Sequence, residues 1–187
     1  MAVLPPEFYD RPVVEVAADL LGCSLRHGVC EGVIVETEAY HESEPASHAY
    51  RGLRPHIRNL FGAPGTAYVY RSYGIHALVN AVCEAPGVGA AVLIRALQPI
   101  AGIELMRRRR GRADAELCAG PGRLTAALGI GLELDGAPLQ GPELEIHARP
   151  AGMPHSVAAK RVGITRATEL PWRFAVADSA WVSRPRP

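Results

Sequence analysis

The sequence predicts one domain of mixed helices and strands, and three observations support this. Apolar, β-branched runs at 23–26, 29–40, 66–71, 75–83 and 90–96 read as strands, with hairpin turns around His27-Gly28 and at Ser72-Tyr73-Gly74. Helical stretches flank them at both ends of this block. At 187 residues and 48% hydrophobic content, with no repeat or low-complexity linker, the chain is long enough for one sizeable core without metal or disulfide staples.

Taken in order, residues 7–22 read as a helix with Asp10 as N-cap, Gly22 as stop, and Val13, Ala17, Leu20 and Leu21 as its core stripe. Two strands follow, 23–26 and 29–40. In the second, Ile34, Glu36, Glu38 and Tyr40 should share one face, with Val33, Val35, Thr37 and Ala39 on the other. Two acids roughly 7 Å apart on one face repel, which raises one pKa if the sheet is buried. Either they solvate an outer face or one of them is prepared for proton transfer.

Residues 41–64 read as a long loop without regular structure, a type that is usually functional or disordered. The hairpin then presents Tyr73 at its turn, while Tyr68 and Tyr70 suit sheet packing. An exposed aromatic there could wedge between base steps. Asn80 interrupts an apolar strand and needs an amide partner, in the core or in a pocket. Arg95 lies in the buried-type strand 90–96 and must be paired.

Pro99 is expected to open a helix over 100–110 that ends in the run Arg107–Arg110, where cations suit the helix dipole. Gly120-Pro121-Gly122-Arg123 precedes a second helix and could cradle a phosphate, of DNA or of a nucleotide. LELDGAPL and ELEIHARP read as strand pieces, and residues 1–6 and 184–187 as frayed termini.

Charge is unevenly spread. Residues 1–50 carry two basic and nine acidic side chains, 51–112 ten and two, and 113–187 eight and eight. The basic middle is all arginine, including Arg51, Arg54, Arg58 and Arg71, and so suits a polyanion. Four cysteines at 23, 30, 83 and 118 match no zinc or CxxC spacing, so reduced thiols, no metal and no disulfide are expected. With no signal pattern and no membrane-length apolar run, a cytoplasmic, non-membrane protein is expected.

VETEAYHESEPASH, PGTAYVYRSYG with Asn80, LIRALQP, LCAGPGRL, and KRVGI with WRFAVADSAWVS together resemble the alkyladenine (3-methyladenine) DNA glycosylases, in the family's order from about residue 8 to 183. The resemblance implies an α+β fold: a curved antiparallel sheet, flanking helices, and a protruding hairpin that enters the DNA minor groove. Carried over residue by residue, Glu38 matches the general base that activates water and Arg95 the residue that helps hold it. A backbone carbonyl near Arg161 and Val162 completes that set. Tyr40, His48 and Tyr70 match residues around the flipped base, Asn80 the one that crowds guanine's amino group, and Tyr73 the intercalating residue. Arg51, Arg54, Arg58, Arg71, His76, Gly120 and Arg123 are the expected DNA contacts.

Two departures stand out: Tyr40 and His48 are one residue closer than in the vertebrate pattern, and His76 replaces an expected aromatic. Lys160 is the only lysine, so a Schiff-base step would need it or the N-terminal amine, and a monofunctional glycosylase that leaves an abasic site is expected. A monomer that acts on double-stranded DNA without a cofactor is also expected. The base removed could be 3-methyladenine, 7-methylguanine, hypoxanthine or an etheno adduct. A non-catalytic damage-binding module and a nucleoside hydrolase are the rival readings. The first would not need Glu38 and Arg95, and the second would not need Tyr73 or the arginines.

Overall fold

A computed structural model describes residues 1–186. Eight strands form one antiparallel sheet: β1 (Ser24–His27), β2 (Cys30–His41), β3 (Ala67–Ser72), β4 (His76–Val82), β5 (Ala90–Ala101), β6 (Glu145–His147), β7 (Ser156–Ala159) and β8 (Arg173–Val176). They run in the order β3-β4-β5-β2-β1-β6, with β8 joining β2 and carrying β7. The mixed α+β domain with an antiparallel sheet is what the chain forms. Its helices are α1 (Pro6–Tyr9), α2 (Val13–Asp19), α3 (Ile103–Arg110), α4 (Asp114–Leu117) and α5 (Pro121–Leu128).

The long strand β2 sets the shape. It pairs with β5 along one edge, and with β1 and then β8 along the other. Register shifts against β5 fall between Glu31 and Gly32, Ile34 and Glu36, and Glu36 and Thr37. Such bulges bend and twist a strand, and here they curl the sheet. They also change the faces. Ile34, expected beside the acids, lies in the main core with Ala39, while Val35 joins Ala96, Ala175 and Val182 in a separate small cluster.

The helix expected over 7–22 is broken at Pro12, and Asp10 is not its N-cap. Asp10 closes α1 instead, and the first N–H of α2, on Val13, donates to Glu84 Oε1 at 2.9 Å. A carboxylate from distant chain does the capping. The stripe Val13, Ala17, Leu20 and Leu21 is buried as expected.

Pro99 does not open a helix. β5 continues to Ala101 with Pro99 opposite Gly32, beside the bulge where a missing N–H is tolerated, and α3 starts after Gly102. LELDGAPL is no strand either: Leu132–Leu134 is a 3-10 helix. The next residue, Asp135, accepts from Val69 N at 2.9 Å and from Asn59 Nδ2 at 2.8 Å, which blunts the free edge of β3 with a side chain.

The loop over 41–64 holds two 3-10 helices, His48–Arg51 and Pro55–Phe61. Ala49, Ile57, Leu60, Tyr68, Val82 and Ala91 pack together beneath them. A buried Ile or Leu contributes about 1.5–3 kcal/mol, enough to order so short a segment.

The N-terminus is not frayed. Leu4 N donates to Ile146 O and Ala148 N to Ala2 O, each at 2.8 Å, beside the free edge of β6. At the other end the Pro185 carbonyl accepts from Arg173 Nη2 at 2.8 Å, and Pro187 lies outside the described residues. Among the described residues no helix is long and apolar enough to cross a membrane. All four cysteines are free and buried.

Candidate active site

Glu36 and Glu38 lie on the same side of β2, both with 0% exposure, and Arg95 of β5 reaches both. Its Nε donates to Glu36 Oε1 at 3.0 Å and its Nη1 to Glu38 Oε2 at 3.2 Å. Glu36 is further held by Arg173 Nε at 2.7 Å, Ser183 N at 2.7 Å and Ser183 Oγ at 2.9 Å. Every charge in this cluster is therefore paired, as burial demands.

Glu38 is less fully compensated. Beyond Arg95 it accepts from the Tyr40 hydroxyl at 2.8 Å and the Val162 backbone N–H at 2.7 Å. Burial raises its pKa above the ordinary glutamate value, and Glu36 adds to the rise. Arg95, the Val162 N–H and the Tyr40 hydroxyl pull it back only in part. The same surroundings act on Arg95 in reverse: burial lowers its pKa, but Glu38 and Glu36 outweigh that and the guanidinium stays charged.

Tyr40 is fixed from behind. The Arg161 guanidinium sits 4.6 Å from its ring centroid and 5.5 Å from that of Trp172. Arg161 also grips Glu44 with two bonds, at 2.7 and 2.9 Å, and donates to Ala39 O at 2.9 Å. This fork–fork pair ties the residues just before His48 to the loop that carries Val162.

In front of these groups opens a cleft of about 810 Å³, whose walls include Tyr40, His48, Tyr70, Asn80, Arg95 and Val162. The three donors to Glu38, on Tyr40, Arg95 and Val162, all stand in that wall with the carboxylate directly behind them. Tyr68 and Tyr70, two apart on β3, stack at 5.4 Å and 25°. His48 meets the Tyr70 ring edge-on at 4.5 Å, and its Nδ1 is 3.2 Å from the Tyr68 hydroxyl.

Burial first, then Arg54 and His56, lowers the His48 pKa, so the ring is neutral at neutral pH. Burial, with Glu38 adding to it, pushes Tyr70 up to about 12, so its hydroxyl keeps its proton. Asn80 Nδ2 donates to Tyr68 O at 2.9 Å, which meets the need for an amide partner while leaving the residue in the cleft wall.

The β3–β4 hairpin rises beside the cleft. Tyr73 at its turn is 89% exposed, with φ 50° followed by Gly74 at φ 71°. Paired left-handed residues match a tight hairpin to the strand twist. The base of the hairpin is braced by α5: Thr125 Oγ1 donates to Ala77 O at 2.6 Å, and any Cβ on Gly122 would come within 2.8 Å of His76 Cβ. Gly120 and Arg123 line the cleft beside the base of the hairpin, and Arg51 and Arg54 line it next to His48.

Two expected contacts lie elsewhere. Arg71 faces a second cavity, of about 540 Å³, and Arg58 is exposed on the 3-10 helix Pro55–Phe61 without lining either cavity. The run Arg107–Arg110 is mostly bonded to its own surroundings, and Arg110 also lines the cleft. Arg107 pairs with Glu104 and Asp114, Arg109 donates to Ala127 O, and Arg110 to Leu117 O.

Sequence reasoning passed over Arg161, Glu44, Trp172, Arg173 and Ser183 as side chains. A charge count gives one available signal: Glu36, Glu38 and Glu44 in an otherwise apolar strand and its exit require buried cations, and the arginines of KRVGI and WRFAV are the ones that answer. Among the described residues no group of three His, Cys, Asp or Glu is placed to hold a metal ion.

Comparison with known proteins agrees with this geometry. The model of the family described as methylpurine-DNA glycosylase (MPG) matches residues 7–180. A protein of Rhodopseudomonas palustris (strain HaA2) is 52% identical over 188 residues, covering 98% of this chain and 93% of its own. One from Rubrobacter xylanophilus is 58% identical over 163 residues, covering 84% and 85%. One from Agrobacterium fabrum is 47% identical over 186 residues, covering 97% and 92%. All three bear the name "Putative 3-methyladenine DNA glycosylase". Fold and relatives place the chain among the DNA glycosylases, hydrolases of N-glycosyl bonds. The family to which it belongs is that of methylpurine-DNA glycosylase.

Proposed function

We propose that this enzyme removes alkylated purines from duplex DNA by water attack, acting as a cytoplasmic monomer without a cofactor. The target nucleotide swings out of the stack into the cleft, and Tyr73 fills the gap from the minor groove. Tyr40, His48 and Tyr70 enclose the base. A purine alkylated at N3 or N7 is cationic, so aromatic faces attract it. Asn80, held by its bond to Tyr68 O, crowds the amino group of guanine. The names of the relatives support an alkylated purine as substrate.

A water held by Arg95 and Glu38 attacks C1′. As the C–O bond forms, the bond from C1′ to the base breaks, the base takes the electron pair, and the water's proton passes to Glu38. A cationic base leaves neutral and needs no added proton. Glu38, while ionised, also stabilises the positive charge developing on the sugar. The only lysine, Lys160, is exposed and absent from the cleft wall, so the product is an abasic site with no Schiff-base step.

The observation that carries this reading is the buried Glu38 carboxylate, its pKa raised, held behind the cleft wall by Tyr40, Arg95 and Val162. Glu38→Gln should cut single-turnover excision from methylated duplex by about 10²–10⁴-fold, the usual share of a general base, while duplex binding persists. Near-normal excision by that variant refutes the proposal. Tyr73→Ala should weaken flipping, read by 2-aminopurine fluorescence next to the lesion.

A further inference from the structure

We propose that Ser183 is a positioning residue for the reaction: its hydroxyl sets the plane of the Arg95 guanidinium, and so the direction in which Arg95 meets the attacking water. The inference rests on the proposed function, in which Arg95 and Glu38 hold that water. Arg95 is bonded at each of its guanidinium nitrogens. Nε donates to Glu36 Oε1 at 3.0 Å, Nη1 to Glu38 Oε2 at 3.2 Å, and Nη2 to Ser183 Oγ at 3.3 Å. Anchors at Nε and Nη1 alone leave a flat group free to rock about the line that joins them. The bond to Ser183 stops that motion.

The polarity of the serine hydroxyl is forced. The Glu36 carboxylate offers only lone pairs and the guanidinium only N–H groups. The hydroxyl proton therefore goes to Glu36 Oε1, at 2.9 Å, and the lone pairs of the oxygen face Arg95. With these bonds made, one N–H on each terminal nitrogen of Arg95 has no acceptor among the described residues, and Arg95 lines the cleft. Those N–H groups are the ones left for a water, and their direction follows the plane of the guanidinium.

Ser183 is rigid enough for this task. It is 3% exposed, and its own N–H donates to Glu36 Oε2 at 2.7 Å. Arg173 Nη2 donates to the carbonyls of Ser183 and Pro185, at 3.4 and 2.8 Å, and the preceding residue, Val182, packs with Val35, Ala96 and Ala175. An alanine at 183 would leave Glu36 with both guanidinium groups and the backbone N–H. The group that loses most is Arg95 Nη2, whose only acceptor among the described residues is this oxygen. The hydroxyl therefore matters less to the locked charge of Glu36 than to the cation that borders the cleft.

The test sets Ser183→Ala beside Val182→Ala, which thins the packing of the same segment and removes no polar contact. In Ser183→Ala, single-turnover excision from methylated duplex should fall about tenfold, less than the roughly 10²-fold that a ~1 Å displacement can cost, with duplex affinity unchanged by anisotropy. The pH dependence should move as well. Burial raises the Glu38 pKa, and Arg95 is the largest of the influences that lower it. The other groups around that carboxylate stay as they are: Glu36 and Tyr40 on β2, Tyr70 on β3, Arg173 opposite it on β8, Arg161 behind Tyr40, and the Val162 N–H. A rocking Arg95 bonds Glu38 less well, so the rise of excision with pH should shift to higher pH. Val182→Ala should lower the melting temperature and keep the wild-type rate and pH rise.

The proposal is overturned if Ser183→Ala excises at the wild-type rate, if it is slower with an unmoved pH rise, or if its loss is one of duplex binding. It is also overturned if Val182→Ala repeats both the loss and the shift, because packing alone then explains them. Each of these results leaves the glycosylase reading standing so long as Glu38→Gln is inactive. Excision that survives in Glu38→Gln brings down both.

Discussion

Glu36 and Glu38 are two residues apart on one strand, both fully buried and both bonded to Arg95, yet they are treated oppositely. Glu36 is closed off by two guanidinium groups and both donors of Ser183. Glu38 has one guanidinium at the longer distance of 3.2 Å, a phenol and a backbone N–H, all of them in the cleft wall. The first arrangement locks a charge in place; the second leaves a carboxylate that holds its proton more tightly than usual, just behind the cleft wall. What separates the two acids is the number and kind of donors, not the depth of burial.

The largest effects should come from exchanging these fates. Glu38→Gln is expected to fold and to lose excision, as above. Glu36→Ala leaves the buried Arg173 without a carboxylate partner and Arg95 with Glu38 alone, and should cost about 3–5 kcal/mol, read from urea unfolding. The molecules that remain folded should still excise, because Glu38 keeps its three donors. A folded but inactive Glu36→Ala protein would erase the distinction between the two acids.

Next comes Arg161→Met, which keeps volume but removes the backing of Tyr40 and the partner of Glu44. A shift of about 1 Å in positioned groups can cost 10²-fold, so excision should drop by about that much, with duplex affinity falling less. Activity within a few-fold of wild type would show that Tyr40 needs no support.

A smaller effect sharpens the role of Glu38. Because burial raises its pKa, the base is protonated at acid pH, and excision should rise with pH through a value above 4.5, the ordinary one. The stability linkage has the same origin. A carboxyl whose folded pKa exceeds its unfolded one stabilises the fold fully below 4.5, and that contribution is lost as pH rises through the folded value. Wild type should therefore lose melting temperature relative to Glu38→Gln across that window. A profile flat through it would remove Glu38 as the titrating base.

The smallest effect is expected at Arg107, already paired with Glu104 and Asp114. Arg107→Ala should leave the salt dependence of duplex binding unchanged, and a slope reduced by about 1 would show that the helix-ending run contacts phosphate.

The strand that carries both acids was legible because β-branched residues alternate with polar ones there, and the hairpin because its turn residues are specific. Pro99 misled because a proline is a helix-opening signal everywhere except at a bulge, and bulges have no sequence mark of their own. The 3-10 segments of residues 48–61 were missed because three-residue turns are too short to build an amphipathic period. At the site, Glu38, Arg95, Tyr40, His48, Tyr70 and Asn80 are brought into one place. The cations that settle the two acids, Arg161 and Arg173, could not be paired with them by pattern, since such pairs form across the whole chain.

That long reach also bears on how the enzyme is made. Glu36 closes onto Ser183 across 147 residues, and Glu38 onto Val162 across 124. Contacts of such separation form late, after the local hairpins and helices. A chain still emerging from the ribosome can form the β3–β4 hairpin and the tyrosines of the cleft before Glu38 has all three of its donors. On the proposed mechanism, Glu38 is held in place only once the segment carrying Val162 has docked against β2.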